Sequence, residues 1–430
     1  MGQPMKTLLL LYIALRLAQQ LTETALAVVN RRHAVEPARL AAAGRALEIP
    51  DVDMQRAVAY SADRHRFGLV SGWVDVIVVL AFLAAGGLGL FEAWAREAAA
   101  WAGRGSIATG LGFFALLGAA SGLVSLPFEL YSTFVIEERH GFNRQTLRGF
   151  VVDRLKGLAL AVVLAAPLLA GVLWLMQRMG SWWWLWAWGL VVTFNLAAAW
   201  IYPSVLAPLF NRFTPLPEGE LREGILDLAG RTGFRTGGIF VMDASRRTSH
   251  GNAYFTGLFG QKRIVLFDTL VEAMSPREVI SVIAHELGHF KLHHVRWAIA
   301  RSVAASGALF FVLSLALPLD AFYKAFSVER TAYAALVVFG LWFSIVGFLL
   351  QPLENALSRR HEFAADAFAI RNGASPAELG AALRKLREKS RVLPVVHPLY
   401  SLVYHSHPPL LERLRAMGAP YSPLSSADGP

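Results

Sequence analysis

Residues 157–176 read GLALAVVLAAPLLAGVLWLM, twenty positions without one ionisable side chain. A helix of that length spans about 30 Å, the thickness of a bilayer's hydrocarbon core, and strands are rarely half as long. Working outward, six further apolar stretches follow the same pattern: Thr7–Val29, Leu69–Leu90, Ile107–Phe128, Ser181–Ile201, Ser302–Leu319 and Thr331–Leu353. Five of the seven carry no ionisable residue. The expected fold is therefore an α-helical polytopic membrane protein with seven transmembrane helices. Arg16 and Glu23 interrupt the first stretch. Lys6, the apolar run Leu8–Leu15 and the triplet Ala25-Leu26-Ala27 imitate a cleaved signal peptide, but Arg16 after that run favours a retained helix. Composition agrees, since 430 residues at 55% hydrophobic and 17% charged leave too little polar surface for an aqueous fold. There is no cysteine, which excludes disulfides, Cys-type zinc sites and thiol nucleophiles. Any metal site must use His, Asp and Glu.

The net charge of +10 comes from 41 Lys and Arg scattered between the apolar stretches, with no basic run, so no nucleic-acid partner is expected. With the N-terminus outside, twelve cations fall on the cytoplasmic short loops, among them Arg31, Arg64, Arg139 and Arg154, against six on the opposite side. The expected topology is N-out with both large polar segments cytoplasmic. Organisation follows: residues 1–202 with five transmembrane helices, 203–297 as a polar segment, 298–353 with two more helices, and 354–430 as a second polar segment on the same side. The missing eukaryotic targeting signals and the Ala- and Arg-rich composition favour a bacterial owner and its inner membrane.

Within 203–297, Glu218–Arg231 reads as an amphipathic helix, while Gly238–Met242 and Lys262–Phe267 have strand composition. Asn252–Gly257 is a further strand candidate. Ser275-Pro276-Arg277-Glu278 opens a helix with a capping box. That helix leads into His285-Glu286-Leu287-Gly288-His289. In HExxH the two histidines lie four apart on one helical face and can share a cation, while the Glu beside the first reaches the metal's water. A juxtamembrane helix with headgroup-level histidines is the bland alternative.

A catalytic zinc takes three protein ligands and keeps one position open. A metzincin would place its third His where Val295 stands and a Gly where Leu292 stands, so that class is excluded. His293 and His294 are poorly placed to close a tetrahedron on the same continuing helix and read as interfacial histidines. Residues 355–366, NALSRRHEFAAD, present Glu362 and Asp366 four apart. Glu362 can supply an oxygen ligand, and Asp366 can accept the outer N–H of a ligating His. A solvated helix with Arg359, Arg360 and Glu362 as surface charges remains the alternative.

Several segments together resemble the type 1 CAAX prenyl protease family of membrane gluzincins. They are Tyr60–Gly68, Leu126–Asn143, Ala207–Asn211, Ser249–Phe255, the HELGH pentad, Glu362–Asp366 and Ser406–Leu414. The resemblance implies one zinc ion per chain on His285, His289 and Glu362, with Glu286 as catalytic base. It also implies seven helices around a water-filled intramembrane chamber and a cytoplasmic zincin-like α+β domain carrying a small sheet. Asp75, Glu129, Asn195 and Gln351, expensive in lipid, would line that chamber or pack between helices. His407 and Arg413 match positions implied to line the substrate path and to stabilise charge on the scissile carbonyl. In isolation they would be a turn residue and a surface cation. Asn252, Ala253, Tyr254 and Phe255 resemble the edge strand on which the peptide is laid. An exposed edge has unpaired N–H and C=O groups that can hold such a chain straight. His250 reads as a turn residue and stays outside the catalytic set.

The expected function is a membrane-embedded zinc endopeptidase. It would cut near the C-terminus of peptides that are prenylated or membrane-associated, with the bilayer and a peptide or protein substrate as partners. The alternatives are a general quality-control metalloprotease of the membrane and a non-catalytic channel or transporter. Paired discontinuous helices would mark a transporter, and none is visible in two halves.

Overall fold

The computed structural model describes residues 3–246, 252–256 and 262–420. Helices α1 (Gln3–Ala34), α2 (Pro37–Leu47), α3 (Asp51–Ala84), α4 (Gly87–Trp101), α5 (Ser106–Tyr131), α6 (Leu147–Arg178) and α7 (Trp183–Ile201) form the N-terminal region. A small lobe follows: β1 (Phe213–Pro215), α8 (Glu220–Arg231), β2 (Thr236–Met242), β3 (Ala253–Thr256), β4 (Lys262–Phe267), α9 (Asp268–Ala273) and α10 (Pro276–Lys291). Then come α11 (His294–Ala316), α12 (Asp320–Lys324), α13 (Ala332–Arg371), α14 (Pro376–Ser390), α15 (Pro398–Tyr404) and α16 (Leu410–Met417).

Among the described residues six helices are long and apolar enough to cross a membrane: α3, α5 with its π-helical extension to Glu137, α6, α7 with the turn before it, α11 and α13. The expected seven is thus approximate. Helix α1 is 32 residues long and falls outside that group; Arg16 on it lies 3.6 Å from Asp75 of α3. Large apolar side chains stand free on the six, including Leu123 at 72% and Leu349 at 67% exposure. Only a hydrocarbon surround makes such exposure cheap. At one end of the bundle Phe113, Leu173, Tyr333 and Val338 are fully covered and tie α5, α6 and α13 together.

The small sheet has the order β1-β2-β4-β3. β2 and β4 run parallel, and β3 pairs antiparallel with β4, Ala253 opposite Leu266 and Phe255 opposite Ile264. Among the described residues β3 is therefore an edge strand, and it covers Ala253–Phe255 of the segment expected there. β1 had no sequence signal, being three residues ending in proline. The core of this lobe joins Ile225 of α8, Ile239 of β2, Leu266 of β4, Ile283 and Leu287 of α10, and Ala369 of α13. Each covered Ile or Leu contributes about 1.5–3 kcal/mol.

Helix α10 starts as its sequence requires. The Ser275 hydroxyl accepts from the Glu278 N–H at 3.4 Å, and the Glu278 carboxylate accepts from the Ser275 N–H at 2.7 Å. Lys385 of α14 adds a 2.6 Å bridge to the same carboxylate. Burial pushes the Glu278 carboxyl up, but Lys385 and the Ser275 N–H outweigh it and hold it below its ordinary value. A carboxyl depressed in this way stabilises the fold above its unfolded pKa, about 4.3, and loses that contribution as pH falls through the lower folded value. Glu278→Gln is expected to cost about 1–2 kcal/mol near pH 7. The deficit should shrink in acid, as read from unfolding midpoints in detergent.

Candidate metal centre

Helices α10 and α13 touch at Gly288. A Cβ built there would lie 3.0 Å from the Ala365 Cα and 3.1 Å from its carbonyl oxygen, tighter than nearly all real contacts and against backbone that cannot swing away. The glycine inside HELGH is what lets α13 come this close. Gly288→Ala is expected to push the helices apart by tenths of an ångström and lower metal occupancy. Full occupancy at limiting metal would remove this role.

At that crossing His285, His289 and Glu362 bring ligand atoms within 4.8 Å of one another. The two Nε2 atoms are 3.2 Å apart. Glu362 Oε1 lies 3.2 Å from His289 Nε2, and Oε2 lies 3.6 Å from His285 Nε2. A tetrahedral ion with donors about 2.0–2.2 Å away spaces those donors about 3.3–3.5 Å apart, so the three groups fit a metal. The carboxylate itself is 3% exposed. Its Oε2 has close neighbours, His407 Nδ1 at 2.8 Å and Arg413 Nη1 at 3.3 Å, but no aligned hydrogen bond. A buried carboxylate oxygen left without one is costly unless a cation completes it. The solvated-helix alternative for Glu362 does not hold in this fold.

The far nitrogens of both histidines are also occupied. His285 Nδ1 lies 2.8 Å from Asp366 Oδ1. Asp366 in turn accepts from Arg413 Nε at 2.8 Å and Nη2 at 2.6 Å, a two-pronged pairing. Arg413 is 7% exposed. The family resemblance implies a place for it at the scissile carbonyl, and in the fold its guanidinium pairs with Asp366. His289 Nδ1 lies 3.1 Å from His294 Nδ1, and the His294 ring stacks on His361 at 4.0 Å and 11°. The sequence reads His294 as an interfacial histidine and does not single out His361, yet the fold sets both beside His289. A left-handed turn at His293 (φ 61°) separates α10 from α11 and swings His294 back onto His289. The expectation of one continuing helix hid that return.

Glu286 shares the HELGH helix and borders two cavities. One, about 640 Å³, is also lined by Asn195 of α7, Ser302 and Ser306 of α11, and Tyr254 and Phe255 of β3. The other, about 570 Å³, includes Asn252, His285, Glu362, His407 and Arg413. Tyr254 and Phe255 of β3 thus face the first cavity, and Asn252 just before the strand faces the second. Burial pushes the Glu286 carboxyl up from its ordinary value, and His285 and His289 pull against that. His407 is exposed to its cavity. It sits on a loop anchored by Arg359, which donates to the Ser401 and His405 carbonyls at 3.0 and 2.6 Å. The Ser249–Gly251 part of the sequence motif, with His250, lies outside the described residues.

This arrangement, an HExxH helix completed by a carboxylate from a second helix that also crosses the membrane, defines a membrane-integral metallopeptidase. Comparisons with known proteins agree. Residues 28–212 match the family model described as CAAX prenyl protease N-terminal, five membrane helices, and residues 215–420 match peptidase family M48. The chain is 39% identical over 368 residues to a CAAX prenyl protease 1 homolog of Oryza sativa subsp. japonica, covering 84% of this chain and 86% of that one. It is 34% identical over 406 residues to the Homo sapiens homolog, at 84% and 85% coverage. The crystal structure of S. mikatae Ste24p superposes with a TM-score of 0.87 at 32% identity, covering 95% of this chain and 98% of that chain. The chain belongs to the CAAX prenyl protease 1 family of M48 peptidases.

Proposed function

We propose that this protein is a zinc endopeptidase of the membrane that cuts CAAX-type peptides, prenylated or otherwise membrane-associated, near their C-terminus. One observation carries the reading: His285, His289 and Glu362 converge within 4.8 Å beside Glu286 and between two cavities. Zinc is the ion that suits two imidazoles and a carboxylate in a redox-neutral hydrolase, and one ion per chain is expected. The cation count of twelve against six supports a cytoplasmic catalytic side. A bacterial inner membrane is the setting that composition favours.

When bound, zinc lowers the pKa of water toward about 7 and polarises a carbonyl. The chain's own residues do the rest. The free edge of β3 pairs with the extended peptide and holds it across the site. The Glu286 carboxylate takes a proton from the attacking water and returns it to the leaving amine; its raised pKa suits both transfers. The His407 ring, open to the cavity, can donate to the carbonyl oxygen as charge develops there. Arg413 acts mainly through Asp366, which accepts the His285 Nδ1–H and keeps Nε2 turned to the metal.

His294 is assigned the matching task for the second imidazole. With His289 Nε2 facing the cluster, its Nδ1 carries the proton and donates to His294 Nδ1. His294→Ala is expected to weaken metal binding about 10–100-fold, measured by competition with a chromophoric chelator. Unchanged affinity would make His294 a packing residue only. The broader reading is tested with a quenched reporter peptide. Purified protein should cleave it, lose cleavage with a chelator and regain it with stoichiometric zinc. Cleavage indifferent to chelation would sink the assignment.

A further inference from the structure

Two segments singled out in the sequence, Tyr60–Gly68 and Glu137–Asn143, contribute nothing to the metal cluster, yet they meet each other. The Tyr60 hydroxyl donates to Glu137 at 2.9 Å, and Asp63 lies 2.9 Å from Arg139 Nη1 and 3.0 Å from His140 Nε2. Against this junction lies a crevice of about 360 Å³ whose polar wall includes Arg31, Ser61, Arg64, His65 and Arg391. Arg391 donates to the His140 carbonyl and rests over the Phe142 ring at 4.9 Å. Arg31 donates to Ser61 at 3.0 Å. Glu137, 3.7 Å from Arg64, is the nearest counter-charge. Among the described residues no carboxylate pairs with Arg31 or Arg391. Three guanidinium groups around one small crevice, two of them without a counter-ion, make a site for an oxyanion, and the planar fork of arginine suits a carboxylate.

The crevice adjoins the cavity that holds His285, Glu362 and His407. Val392, Leu393, Val396 and His405 line both. His405 is two residues before His407, whose Nδ1 is 2.8 Å from Glu362. Two residues of chain reach at most about 7 Å, and a three-residue extended peptide about 10 Å. A short peptide tail lying along this wall can therefore place its end among the arginines while the bond upstream lies at Glu286.

We propose that the Arg31, Arg64 and Arg391 crevice captures the free α-carboxylate of the peptide substrate and so sets how far from the C-terminus the chain is cut. This rests on the peptidase reading above. The shared wall with the catalytic cavity favours a peptide end over a lipid headgroup.

The test pairs two reporter peptides that differ only in a C-terminal carboxylate or carboxamide. Turnover is measured on the full-length zinc-loaded protein, and binding on Glu286→Gln by fluorescence anisotropy. The acid is expected to exceed the amide in kcat/KM by about 10–100-fold, mostly through KM, with the same preference in binding. Arg31→Gln and Arg391→Gln should each pull that ratio toward one, and Arg391→Lys should restore part of it. A merely structural arginine would change both peptides alike and leave the ratio intact, which overturns the proposal. Equal handling of acid and amide by the unaltered protein overturns it too. So does an arginine effect that follows the anionic-lipid content of nanodiscs with the ratio unchanged, which would mark a headgroup site. Cleavage without acid preference sinks the crevice and spares the peptidase. Acid-selective binding that needs the arginines, without any cleavage, does the reverse.

Discussion

Glu286→Gln is expected to keep its full complement of metal and to lose about a hundredfold to ten-thousandfold in kcat. Glutamine has the size and shape of the carboxylic acid, so the packing of α10 against the sheet, which covers Ile283 and Leu287, is undisturbed. The three ligand groups are also untouched, because Glu286 is not among them. What disappears is a group that can accept a proton and later return it. The measurement is metal content by elemental analysis alongside single-turnover cleavage of a reporter peptide. Undiminished cleavage would remove Glu286 from the mechanism, whereas loss of metal together with activity would make it structural.

Glu362→Ala should instead lose the metal itself. The carboxylate lies at 3.2 and 3.6 Å from the two Nε2 atoms and is the only ligand that α13 brings to the cluster. Two imidazoles on one helix would remain, and the expected loss exceeds the roughly 10–100-fold that outer partners cost. The contrast with Asp366→Asn makes the test specific. Asparagine keeps an acceptor for the His285 Nδ1–H but gives up the charge opposite buried Arg413, so that variant should weaken metal and also destabilise the fold. Zinc stoichiometry near one in Glu362→Ala would refute its role as a ligand.

The site was partly legible in sequence because helices carry their own ruler. Four-residue spacing places His285 above His289 and Glu362 above Asp366 whatever surrounds them. The Ser275–Glu278 capping box needs only its own backbone, and it formed as expected. His294 reads as an interfacial histidine because its approach to His289 depends on a left-handed residue at His293, a break that no apolar period signals. Taken in isolation Arg413 reads as a surface cation, because its burial comes from α16 packing on α13, a contact far apart in the chain. The apolar end of Thr331–Leu353 was visible, but its continuation as one 40-residue helix through Pro352 to Arg371 was not, since proline ordinarily argues for a stop.

Hydropathy and spacing by themselves determined that the chain crosses a membrane and that one helix offers two imidazoles and a carboxylate beside them. Both are local properties, fixed by which side chains repeat along a single axis. Only the tertiary structure decided that Glu362 joins the two histidines, that Asp366 and His294 lie against their far nitrogens, and that Arg31 and Arg391 line one crevice. Apart from His289 and His294, which a left-handed residue between them turns together, those residues lie dozens to hundreds of positions apart, and their meeting depends on how closely helices can pack. At Gly288 a single missing methyl group permits the approach.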